Sequence, residues 1–109
     1  MIETVILGGG YIGRSLHDYW KAESQRRLTI TTTSPNKVQT LSSKTTKVVL
    51  ANGNDEEGLK ILLAAAEELI IAIAPKNRSS YKSTYLDTAN TLCSALKENN
   101  SIRRLVYLS

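Results

Sequence analysis

Near the N-terminus a short apolar run, Thr4-Val5-Ile6-Leu7, leads straight into Gly8-Gly9-Gly10-Tyr11-Ile12-Gly13, with glycines in the spacing G-x-G-x-x-G, and on into Arg14-Ser15-Leu16. No other stretch restricts the fold as much. A β-branched strand that ends in such a turn and opens into apolar positions at helical spacing, here Ile12 and Leu16, is the strand, phosphate loop and helix of a dinucleotide-binding unit. Each glycine then has its own reason. Gly8 turns the chain tightly off the strand, Gly10 lets backbone approach a pyrophosphate, and Gly13 lets the helix lie close on the sheet. The anion would sit on the free N–H groups that begin the helix, at Tyr11 and Ile12. Glycine turns also occur where nothing binds, and it is the strand before, the helix after and the later alternating segments that favour a nucleotide loop.

The rest of the chain alternates in the same way. Hydrophobic periodicity predicts strands over 2–7, 28–32, 47–50, 69–74 and 104–108, and helices over 11–21, 35–42, 56–66 and 81–97. A β-α-β-α-β-α-β-α-β chain implies an α/β fold: a Rossmann-type, doubly wound parallel sheet joined by right-handed crossovers. The expected strand order is 3-2-1-4-5, with the ligand crevice where the order reverses between the first and fourth strands, and the sheet is expected to be truncated after the fifth. Expected inward positions are Ile12, Leu16 and Tyr19 or Trp20 on the first helix, and Leu59, Leu62, Leu63 and Ala66 on the third. On the fourth they are Tyr81, Tyr85, Ala89, Leu92 and Leu96.

The end of the second strand bears on the cofactor. An NAD-preferring unit usually carries a carboxylate there, which accepts hydrogen bonds from the adenosine ribose. Here the strand ends in Thr31-Thr32-Thr33-Ser34-Pro35-Asn36-Lys37, with no acid. Hydroxyls at Thr32, Thr33 and Ser34 and the Lys37 ammonium can donate to a 2′-phosphate, which tilts the choice toward NADP over NAD. Ser34 also fits a helix N-cap with Pro35 at the first helical position, and both readings are compatible. Asp55 fits a cap of the third helix or a contact to an adenine amino group, with the cap favoured. Small Ala72 and Ala74 suit a cofactor passing over the end of the fourth strand, and equally a tight core.

With 109 residues, one domain with one modest core is expected. The longest apolar run, 69–74, is far too short to cross a bilayer, and no secretory leader is evident, so a cytoplasmic location and no membrane partner are expected. Cys93 is the sole cysteine, which excludes an internal disulfide and a cysteine-based zinc site; it reads as a buried helix residue. Net charge is +4, yet the basic residues are scattered over several loops and ends, without interleaved aromatics, which argues against nucleic acid. His17 beside Asp18 reads as an ordinary surface histidine.

Four segments together, residues 5–13, 31–37, 85–92 and 104–109, resemble the N-terminal part of the NAD(P)-dependent epimerase/dehydratase proteins, the extended and atypical short-chain dehydrogenase/reductase group. The resemblance spans essentially the whole chain. Leu7 stands where the first glycine of that group's G-x-x-G-x-x-G would fall, which places the match nearer to atypical members with G-x-G-x-x-G. The resemblance implies hydride transfer to or from NAD(P) on a sugar nucleotide or similar hydroxylated substrate. It also implies catalysis by a Tyr-x-x-x-Lys pair and a Ser or Thr shortly after the fifth strand.

Neither is found here. Four residues beyond Tyr11, Tyr19, Tyr81 and Tyr85 stand Ser15, Glu23, Tyr85 and Ala89, and Tyr107 has no residue at that distance. Ser109 corresponds to an earlier serine of the family, not the catalytic one. The expectation is therefore a cofactor-binding domain with no catalytic residue of its own. An alternative is a stand-alone nucleotide-sensing regulatory module, similar to the ligand-gating domains of potassium-uptake systems. That family usually carries an acid after the second strand, where this chain has threonines. A third reading is a remnant whose pocket binds nothing. An apolar fifth strand left as a sheet edge invites pairing with a second copy, so a homodimer through that edge is expected.

Overall fold

A computed structural model describes residues 1–22, 25–41, 46–51, 55–73, 86–97 and 99–108. In chain order the elements are β1 (Ile2–Leu7), α1 (Tyr11–Trp20), β2 (Arg26–Thr32), α2 (Pro35–Leu41), β3 (Thr46–Leu50), α3 (Glu56–Leu63), β4 (Glu68–Ile71), α4 (Thr88–Leu96) and β5 (Arg104–Tyr107). The strands form one sheet in the order β3-β2-β1-β4-β5, and every neighbouring pair is parallel. That is the order the alternation of elements predicts. In sheets of this order a ligand crevice forms where the order reverses, here at the carboxyl ends of β1 and β4.

Side chains alternate across the sheet, so each central strand feeds two cores. Val5 and Leu7 of β1 and Leu69 and Ile71 of β4 pack with Leu59, Leu63, Leu92 and Ala95 under α3 and α4. Ile6, Ile30 and Ile70 face the other way, where Leu16 and Trp20 of α1 cover them. The inward residues expected of α3 hold: Leu59, Leu63 and Ala66 are buried and Leu62 packs against them. On α4, Leu92 is buried and Leu96 packs on the same core, whereas Tyr81 and Tyr85 lie outside the described residues.

Helix α1 is turned from the expected phase. Its inner stripe is Gly13, Leu16, His17 and Trp20, while Ile12 and Tyr19 are 52% and 75% exposed. The cause is Gly13. With no Cβ it rests against the Gly8 carbonyl, and that contact sets the rotation of the helix. His17 consequently falls in the stripe and is 2% exposed, not a surface residue. Its ring is satisfied at both nitrogens, by Thr46 Oγ1 at 2.8 Å and Asp18 Oδ1 at 3.0 Å, so it pins α1 to β3. Cys93 is likewise exposed, not buried, because the inward positions of α4 are Thr88, Leu92 and Ala95.

Glu68 departs most from the pattern expected of the chain. It begins β4 instead of following α3, and it is buried. Thr4 Oγ1 donates to its Oε1 at 2.8 Å and Arg26 Nε at 3.0 Å, while Arg104 reaches Oε2 at 3.3 Å. Burial alone would raise the Glu68 carboxyl. The hydrogen bonds from Arg26 and Thr4, with the charges of Arg26 and Arg104, outweigh that and hold it below its ordinary value. The Arg26 guanidinium lies 4.1 Å from the centre of the Trp20 ring, which links this network to α1. Strand β2 starts at Arg26, two residues earlier than hydrophobicity alone suggests, because Arg26 and Arg27 pair in register with Ile2 and Glu3.

Candidate functional site: the glycine loop and the crevice beside it

The loop between β1 and α1 leaves the carboxyl end of β1 beside β4, and what a side chain would meet differs at each of its glycines. Gly8 has φ +113°, a region that favours glycine, and a Cβ there would lie 2.8 Å from the Ala72 carbonyl oxygen. A Cβ on Gly13 would run into the Gly8 carbonyl oxygen. Gly10 differs, since a Cβ there would meet nothing within 4 Å among the described residues. None of these residues requires glycine at position 10.

Gly10 is also the N-cap of α1, and no side chain caps the helix there. The first turn holds no acidic residue, so its free N–H groups and the positive end of the helix dipole meet no competing carboxylate from that turn. An anion is what such a terminus accepts. Tyr11 and Ile12 provide the first backbone groups of α1. The Ile12 side chain points away toward a groove of about 500 Å³, lined also by Leu16, Trp20, Ile70, Val106 and Leu108.

Around this loop the other sequence-selected residues fall into two groups. Thr32, Thr33, Ser34 and Lys37 close β2 and open α2, beside β1 and near its carboxyl end. Thr32 is buried and its hydroxyl accepts from the Ser34 N–H at 3.1 Å, which turns the chain. Thr33 and Lys37 are exposed, and no carboxylate stands between Thr31 and Lys37. Ala72 is buried on the opposite side of the loop, and its N–H donates to the Leu7 carbonyl at 2.8 Å. It braces the loop through its backbone under Gly8 and its Cβ toward Gly13. Ala74 lies outside the described residues. Asp55 caps α3, accepting from the Gly58 N–H at 3.1 Å.

One residue that holds the loop is not among those the sequence singled out for it. Thr31 is 2% exposed, and its hydroxyl oxygen accepts from the Gly8 N–H at 2.9 Å. The register supplies the signal: Ile6 pairs with Ile30, which puts Thr31 next to the residues that leave β1. Among the described residues, no three of His, Cys, Asp and Glu converge as a metal site. Nor is any described helix long and apolar enough to cross a membrane.

The TrkA-N domain family matches residues 4–106. This chain belongs to that family. No curated protein is significantly similar to it in sequence. Among solved structures, a Rossmann-fold NAD(P)-binding family protein from Shigella flexneri superposes with a TM-score of 0.73 at 15% identity, over 96% of this chain and 50% of that one. Uronate dehydrogenase from Agrobacterium tumefaciens, complexed with NAD, gives 0.77 at 14% identity over 100% and 41%. Yeast methylglyoxal/isovaleraldehyde reductase, complexed with NADPH, gives 0.78 at 12% over 95% and 36%. At such identities the likeness is one of fold, and this TrkA-N chain spans half or less of the length of these structures. The strand order and these superpositions agree on a Rossmann-type fold.

Proposed function

We propose that the domain binds a nicotinamide dinucleotide, NADP in preference to NAD, and serves as the cofactor-holding part of a larger protein related to the epimerase/dehydratase and short-chain dehydrogenase/reductase group. The observation that carries this reading is Gly10, a glycine where a Cβ would meet none of the described residues, at an uncapped, acid-free helix start. The pyrophosphate would rest on Gly8, Gly10, Tyr11, Ile12 and Gly13. Thr33, Ser34 and Lys37, with Thr32 holding their turn, would surround the adenosine 2′-phosphate. Asp55 stays near the adenine side as a cap, and Ala72 and Ala74 leave room over β4. The bound nicotinamide supplies the hydride chemistry. This chain's residues bind and orient it, and the sequence holds no Tyr-x-x-x-Lys pair to move a proton on a substrate. The proposed setting is the cytoplasm, without nucleic acid.

Calorimetric titration with NADPH and NADH tests the reading. Tighter binding of NADPH supports it, equal affinities remove the role given to Lys37 and the hydroxyls, and binding of neither overturns it. The alternative reading is a stand-alone nucleotide-sensing module. In that case nucleotide would change the assembly state of the chain with no substrate present.

A further inference from the structure

Gly8 is held from three directions. The Ala72 carbonyl after β4 fills the space a Cβ on it would need, its own carbonyl meets Gly13 of α1, and its N–H donates to Thr31 Oγ1 of β2 at 2.9 Å. The first two contacts are steric and are what the glycine pattern provides. The third is chemical and comes from a residue outside that pattern. The ladder between β1 and β2 ends at the Ile6–Ile30 pair, and the Gly8 N–H takes a side-chain hydroxyl in place of a further backbone carbonyl. A buried hydroxyl of β2 thus holds the residue at which the chain leaves β1. The peptide units after Gly8 lead through Gly9 to Gly10, the N-cap of α1.

We propose that Thr31 is a positioning residue for the dinucleotide loop, fixing the Gly8 amide so that the following amides converge on a pyrophosphate. This rests on the dinucleotide-binding reading above. The side chain is 2% exposed, so it reaches no ligand and acts only through Gly8. Valine has nearly the same shape but no acceptor, and would leave the half-buried Gly8 N–H without this partner. Serine keeps the acceptor.

The test compares the wild-type chain with Thr31→Val and Thr31→Ser by titration with ADP-ribose, which carries the pyrophosphate without the nicotinamide. The Gly8 and Gly10 amide signals are followed by NMR. The expectation is about tenfold weaker binding in Thr31→Val, the scale of one lost hydrogen bond, and near wild-type binding in Thr31→Ser. In the wild-type chain the Gly8 amide should exchange slowly with solvent, and the Gly10 amide should shift on adding ADP-ribose. Equal affinity in Thr31→Val, no rescue by Thr31→Ser, or a rapidly exchanging Gly8 amide in the wild-type chain would each overturn the proposal. Should Thr31→Val fail to fold, the serine variant and the wild-type amide decide it. A wild-type chain that binds no ADP-ribose overturns the functional reading itself, and this proposal with it. Wild-type binding with an indifferent Thr31→Val overturns this proposal alone.

Discussion

At the scale of single residues, the three loop glycines divide by what forces each of them. Gly8 and Gly13 are demanded by the protein, because a Cβ on either collides with backbone. Gly10 is free of such demands, with φ −76° and ψ −163°, a conformation any residue adopts. This separates ligand from fold experimentally. Aspartate is a favoured N-cap, so Gly10→Asp should keep or slightly raise the melting temperature. Its carboxylate, however, stands where a pyrophosphate would lie. Repulsion of about 1–4 kcal/mol at 4 Å predicts a loss of NADPH affinity of about fivefold or more. Calorimetry with a parallel thermal melt checks both halves, and unchanged affinity would remove Gly10 from the site. The spacing of the glycines was legible in the sequence. That Thr31 completes the loop was not, because the hydrogen bond joins residues 23 apart whose adjacency depends on strand register.

Among the elements, β1, β2, β4 and β5 are tied at their amino ends by one carboxylate. Glu68 collects Thr4, Arg26 and Arg104 from the three strands other than its own. Its side chain is 5% exposed and that of Arg26 16%, so this arm of the network is buried, whereas Arg104 is 67% exposed and contributes little. Removing the carboxylate with Glu68→Ala should cost roughly 3 kcal/mol at neutral pH, the scale for breaking a buried pair. The sign of the pH dependence comes from the lowered carboxyl. A group whose value is lower folded than unfolded stabilises above its unfolded value, and that stability is lost as pH falls through the folded one. The gap between wild type and Glu68→Ala in urea denaturation should therefore be constant at neutral pH and close only below the ordinary value of 4.5. A gap independent of pH would refute the ionic account. Periodicity misplaces Glu68 because a charged residue before an apolar run reads as a helix end. Only the donors waiting on three other strands make its burial tolerable.

For the whole molecule, the sheet presents β3 and β5 as its edges. On β5, Leu105 and Tyr107 are 48% and 45% exposed, and the groove beside α1 runs along Val106 and Leu108. An apolar edge of this kind is a template for a second copy. We expect the 109-residue chain to form a dimer through β5, and Leu105→Lys to return it to a monomer. Light scattering over a concentration series measures this, and a monomeric mass throughout would count against the edge as an interface.

The chain's own pattern determined the class of fold, the strand order and the place of the loop. These come from local periodicity, the handedness of crossovers and the steric freedom of glycine, all of which act over a few residues or are common to every such chain. Tertiary structure alone decided the rotation of α1, and with it the burial of His17 and the exposure of Ile12, because that rotation is set by Gly13 meeting the Gly8 backbone. It also decided that Thr31 would hold the loop and that Glu68 would join the strands. These are contacts between residues distant in sequence, and their partners are named by packing and register instead of by any pattern along the chain.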